Sequence, residues 1–93
     1  MKKYPTRRNN TRDTQPLRPV TGLRKVSIDR RPEHLQAGEY MELPIRRARG
    51  FAARVTTHML PRAGTEFPVT LRRGIVTVWF ANVGGKFQVR RYV

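Results

Sequence analysis

The chain has 93 residues and no cysteine, and its twenty lysines and arginines against six acids give a formal charge of +14. That length allows one small domain at most, and the absence of thiols excludes a disulfide framework, any Cys-based zinc site and thiol nucleophiles. Only 38% of the residues are hydrophobic, so whatever core forms is small and marginal.

No apolar run approaches the roughly 18 residues of a membrane span. The opening MKKYPTRRNN has a basic start with no apolar stretch behind it, unlike a secretory signal. A soluble protein, intracellular or enclosed in a particle, is expected.

Residues 1–22 carry Lys2, Lys3, Arg7, Arg8, Arg12 and Arg18 against Asp13 alone, and they are rich in Thr, Asn and Pro. Such a segment cannot bury enough surface to offset its ordering entropy. An extended or disordered basic arm over 1–22 is therefore expected, ahead of a small β domain over 23–93.

Leu23–Asp29 alternates apolar and polar residues and predicts a short strand. Pro32 starts a helical turn through His34, Leu35 and Ala37, closed by Gly38 in a left-handed conformation. Met41, Leu43 and Ile45 then alternate as a strand containing Pro44. The same stretch also reads as a helix beginning at Pro44, with Ile45, Ala48, Ala52 and Val55 on one face. Residues 44–50 thus stay open between helix and strand. Phe51, Ala53, Val55, Thr57 and Met59, against Arg54, Thr56 and His58, predict a strand over 51–60.

Pro61-Arg62-Ala63-Gly64 is a turn, after which Phe67, Val69 and Leu71 alternate with Pro68, Thr70 and Arg72. Arg73-Gly74 reads as a two-residue hairpin turn. Ile75–Ala81 is apolar on both faces apart from Thr77, the pattern of a central strand covered on both sides. Asn82–Gly85 turns the chain again, and Phe87 and Val89 mark the last strand. The fold class expected is mainly β: a small antiparallel sheet or barrel, SH3-like or OB-like by analogy, with an extended basic N-terminal arm.

Sixteen of the twenty cations are arginine, the side chain best suited to gripping phosphate with two parallel hydrogen bonds. They recur in pairs: Arg7-Arg8, Arg30-Arg31, Arg46-Arg47 with Arg49 nearby, Arg72-Arg73 and Arg90-Arg91. With Lys2, Lys3, Arg12 and Arg18 these are the candidate nucleic-acid contacts, made to phosphate and so indifferent to base sequence. An ordinary solvated surface would also carry cations, but charge of this size on both arm and body favours phosphate. Tyr4, Tyr40 and Tyr92 are the aromatics open to stacking on bases, although half-buried rim positions suit Tyr40 and Tyr92 better.

Catalysis has few materials. His34, His58 and Ser27 show no spacing that recommends a triad, and the six carboxylates lack the clustering of a metal-dependent nuclease. No catalytic residue, metal or cofactor is expected. The function expected is a non-enzymatic structural protein of a nucleoprotein assembly, a minor virion or capsid-associated component contacting nucleic-acid phosphates and neighbouring subunits. It would reside in a virion or a cytoplasmic nucleoprotein particle. A free DNA- or RNA-binding regulatory module is the alternative, and a small basic ribonuclease toxin the third.

Overall fold

A computed structural model describes residues 14–93. The expected arm therefore lies outside the described residues over 1–13, with Lys2, Lys3, Arg7, Arg8 and Arg12. The described chain forms β1 (Gln15–Pro16), β2 (Arg24–Lys25), a 3-10 turn (Pro32–His34), β3 (Glu39–Leu43), helix α1 (Ile45–Val55), β4 (Thr65–Leu71), β5 (Val76–Val83) and β6 (Lys86–Arg91). It is mainly β. One six-stranded sheet runs in the order β1-β4-β5-β6-β3-β2, with β1 and β2 at its two edges.

That order leaves the sheet open, so the barrel form of the expectation does not hold. Nor is the sheet wholly antiparallel: Arg24 and Lys25 pair in parallel with Glu39 and Tyr40. The expected strand over Leu23–Asp29 shrinks to Arg24–Lys25, extended by the Val26 N–H donating to the Tyr40 carbonyl at 2.8 Å. Its second half is diverted because the Ser27 hydroxyl accepts from the Asp29 N–H, and the Ser27 carbonyl from the Arg30 N–H.

Strands β4, β5 and β6 form the expected meander, with Phe67 opposite Phe80 and Phe80 opposite Val89. Val83 and Lys86 close a two-residue turn whose Gly84 and Gly85 both have positive φ, a backbone that suits a tight hairpin and that glycine adopts at no steric cost. The β4–β5 connection is longer than the expected two residues. Leu71 pairs with Val76, and Arg72, Arg73 and Gly74 are all left-handed, at φ 54, 57 and 89.

Residues 51–60 are not a strand. Helix α1 covers Ile45–Val55, with Pro44 at its N-cap position and Ala48, Phe51 and Ala52 buried. Phe51, Val55 and Met59 lie four apart, a spacing shared by the periods of helix and strand. What distinguishes the two is Ala48 and Ala52, which let the helix lie close to the sheet. The Thr56 hydroxyl bonds the Ala52 carbonyl at 2.7 Å, and Thr57 and His58 turn left-handed to end it.

Side chains alternate across the sheet and split it into two faces. The core face carries Met41, Leu43, Phe67, Val69, Val78, Phe80, Phe87 and Val89, covered by α1 and Leu35. Phe80 is fully buried at its centre, edge-on to Phe51 at 5.0 Å and to Phe67 at 5.8 Å between ring centroids. The buried Asn82 ties the end of this layer together: its amide donates to the Pro61 carbonyl and its oxygen accepts from the Gly85 N–H.

The outer face is covered by the chain itself. Because β1 pairs with β4 and β2 with β3, residues 17–23 cross from one edge of the sheet to the other. Six strands about 4.8 Å apart would place β1 and β2 roughly 24 Å apart on a flat sheet. The chain from Pro16 to Arg24 reaches about 26 Å only when fully extended. It also spends a turn at Val20–Leu23, so the sheet curls beneath this strap. The ordered sheet thus reaches further toward the N-terminus than position 23.

The core is small enough that one side chain decides it. Phe80→Ala is expected to cost about 3–5 kcal/mol, from lost transfer energy and the cavity left among three rings. Urea unfolding followed by tryptophan fluorescence checks this; a loss under about 1 kcal/mol would show that α1 collapses into the space.

Candidate nucleic-acid interface

Positive charge meets its counter-charge first inside the protein. Glu66 on β4 is fully buried on the outer face, beneath the strap. Arg18 from the strap reaches it with Nε at 2.8 Å, and the Arg18 N–H also donates to it at 3.3 Å. The Arg18 guanidinium is sandwiched between the rings of Trp79 and Tyr92, at 4.0 and 3.9 Å from their centroids. The Tyr92 hydroxyl donates to Glu66. Arg18 Nη2 has no hydrogen-bond partner, and the two ring faces take the place of one.

Arg90, 3% exposed, sits beside this cage with Nη1 3.7 Å from Glu66. The same nitrogen donates to the Arg18 carbonyl at 2.6 Å and to the Tyr92 hydroxyl at 3.0 Å, while Nε donates to Gln88 at 2.8 Å. Gln88 in turn donates to Glu42, which is paired with Lys25 at 3.3 Å. A continuous polar network therefore runs across the outer face from β4 to β2. Burial pushes the Tyr92 hydroxyl up from its ordinary value, and the Glu66 carboxylate adds to this against the opposing Arg90.

A second cluster surrounds Glu39, which is 2% exposed. It accepts from the Gln36 N–H at 2.8 Å and from Arg30 at 3.0 Å, and pairs with Arg24. The Gln36 N–H is the main reason its carboxyl lies below the ordinary range; Arg24 and Arg30 add to this, and burial opposes it. The Glu42 carboxyl is likewise lowered, chiefly by the Gln88 amide and then by Lys25. Arg54 lies 3.7 Å from Glu33.

The expected contacts accordingly divide into two groups. Arg18, Arg30 and Arg90 hold carboxylates within the fold, and the buried Arg90 has no path to a phosphate in this arrangement. Arg47 and Arg91 donate to the carbonyls of Ile28 and Leu35. Arg31, Arg46, Arg49, Arg72 and Arg73 are exposed with no ionic partner among the described residues, and Arg62 joins them; the exposed Lys86 instead helps to lower the Glu42 carboxyl. Arg72 and Arg73 stand at the tip of the β4–β5 hairpin, Arg46 and Arg49 on the exposed side of α1.

Of the tyrosines, Tyr92 already stacks on Arg18, and Tyr40 is half-buried within β3. His58 lies in the exposed loop after α1 instead of on a strand face, and His34 ends the 3-10 turn. Among the described residues no three His, Asp or Glu side chains converge on a point, and no helix is long and apolar enough to cross a membrane.

Sequence reasoning missed Glu66 as an organiser and left the exposed Arg54 and Arg62 out of the candidate contacts. The signal for Glu66 was present: a lone acid in a strand whose neighbours Phe67, Val69 and Leu71 face the core, in a chain crowded with arginine.

Two outcomes follow for stability. Glu66→Gln leaves Arg18 and Arg90 without their shared counter-charge and is expected to cost on the order of 3 kcal/mol by chemical denaturation, more than Glu42→Gln at the exposed end of the network. Because the Glu39 and Glu42 carboxyls are lowered, their ionised forms stabilise the fold above about pH 4.5, and this stabilisation disappears as pH falls through the lowered values. The Tm gap between wild type and Glu39→Gln should be widest near neutrality and close toward pH 3; a gap constant with pH would contradict the assignment. The chain matches no protein-family model, no curated protein and no solved structure.

Proposed function

We propose that this protein is a non-enzymatic component of a nucleoprotein assembly that binds the phosphate backbone of nucleic acid without reading its sequence. One observation carries the reading. All four glutamates among the described residues are committed to ion pairs within the fold, while six exposed arginines have no carboxylate partner there. These glutamates hold the protein together and leave the remaining charge to an external polyanion.

The tip of the β4–β5 hairpin supports the same reading. Arg72 and Arg73 both hold a left-handed backbone, which costs a non-glycine residue about 1–2 kcal/mol. Glycine would fill either position without that cost, yet two arginines stand side by side in the exposed connection between Leu71 and Val76. The Arg72 carbonyl closes the turn by accepting from the Ile75 N–H at 3.3 Å, but the two side chains have no ionic partner among the described residues, and strain at such an exposed tip fits a role in binding.

Within a virus particle or a cytoplasmic nucleoprotein particle, such a domain would neutralise phosphates and its basic N-terminal segment would extend over nucleic acid or neighbouring subunits. Phosphate contacts made by exposed arginines release condensed counterions, so affinity falls steeply with salt.

Fluorescence anisotropy on labelled oligonucleotides of unrelated sequence, between about 50 and 200 mM salt, tests this. The expected result is a steep linear fall of log affinity with log salt and less than about tenfold discrimination between sequences. A preference of about 10³-fold for one sequence would overturn the reading in favour of a regulatory module. In the double variant Arg72→Gly/Arg73→Gly the fold should gain roughly 1 kcal/mol or more, while the salt slope falls by about two.

A further inference from the structure

Helix α1 contains a glycine that its own structure does not require. Gly50 sits in the middle of the helix with an ordinary helical backbone, where glycine is less stabilising than alanine. A Cβ built at this position meets nothing within 4 Å, so no neighbour in the chain needs the space. The bare backbone faces a groove.

That groove lies between the Pro32–His34 turn and α1, has a volume of ≈ 340 Å³, and is lined by Pro32, Arg46, Arg47, Gly50, Phe51 and Arg54 among others. Arg46, Gly50 and Arg54 are four residues apart and fall along one side of the helix, so the two arginines stand roughly 12 Å apart along the axis with the glycine between them. Arg47 is held by the Ile28 carbonyl, and Arg54 by Glu33 at 3.7 Å and by the Phe51 ring at 5.7 Å. Each guanidinium has five N–H donors and keeps several of them free in these poses. Arg46 has no partner among the described residues. Pro32 and Phe51 lower the local polarity, which strengthens any charge pairing inside the groove.

We propose that this groove seats a phosphodiester of the bound nucleic acid, with Gly50 allowing the sugar-phosphate chain to approach the helix backbone and Arg46, Arg47 and Arg54 donating to its oxygens. The proposal rests on the nucleic-acid reading above and gives it a location. DNA and RNA share this group, and the ribose hydroxyl is the feature that could separate them.

Gly50→Ala tests the groove without changing any charge. The expected outcome is a Tm higher by a few degrees, because alanine favours the helix, with roughly three- to tenfold weaker binding to an oligothymidylate or an oligouridylate of about 20 nucleotides, set by the bulk placed in the contact. Arg46→Gln should weaken binding at least about fivefold, and the same charge change at Lys25→Gln, where the cation is paired with Glu42 on β3, less than twofold. Equal losses at Arg46 and Lys25, or wild-type affinity in Gly50→Ala, would overturn the groove while leaving the steep salt dependence of the wild type intact. If wild type binds neither polymer at about 50 mM salt, the nucleic-acid reading fails and the groove with it. A loss confined to one polymer assigns the groove to that polymer.

Discussion

The fold depends on one buried carboxylate. Glu66 lies on the sheet face that α1 does not cover, where an ionised acid is tolerable only if it is fully paired. Arg18, Arg90 and the Tyr92 hydroxyl converge on it from the strap, from β6 and from the segment after β6. The same contacts hold the strap against the sheet, because Arg18 stacks on Trp79 of β5 and its carbonyl accepts from Arg90 of β6. A small sheet with one helix has only one apolar layer, and here a polar layer covers its second side.

This arrangement also manages the open edges. A sheet that does not close presents unpaired N–H and C=O groups at both sides. Each edge here ends in a two-residue strand, β1 or β2, and both strands belong to the single segment that the Arg18 contact anchors. The edges are short, and Arg24 and Lys25 place charge on one of them, which discourages pairing with another chain.

The sequence made part of this visible. The β4–β6 meander was legible because Phe67, Val69 and Leu71, then Val76, Val78 and Phe80, alternate without ambiguity and glycines mark the turn at 84–85. Helix α1 was half legible: Phe51, Val55 and Met59 fit both periods, and only contact with the sheet shows that Ala48 and Ala52 belong to a packed face. The strap was hidden. Its order comes from partners far along the chain, and neither local composition nor periodicity over 14–22 carries information about Glu66 or Arg90. The surface was legible as a charge and illegible as a pattern, since sequence alone does not separate an arginine that pairs with glutamate inside the fold from one that faces solvent. Gly50 and Arg72-Arg73, like Thr57-His58 at the end of α1, are places where the local choice disagrees with the local structure, and such disagreements concentrate where a protein meets something else.

The strap carries a consequence for the order of assembly. Arg18 finds Glu66 48 positions downstream, and its carbonyl meets Arg90 72 positions downstream. A chain made from its N-terminus exposes residues 14–22 long before either partner exists. Closing loops of that length is slow compared with forming the local β5–β6 hairpin, so the segment synthesised early is the one placed late. During that interval Arg18 faces only solvent or whatever polyanion is near. Docking ends the interval once β6 and Tyr92 have emerged, and synthesis of that segment thereby sets when residues 14–22 become part of the folded body.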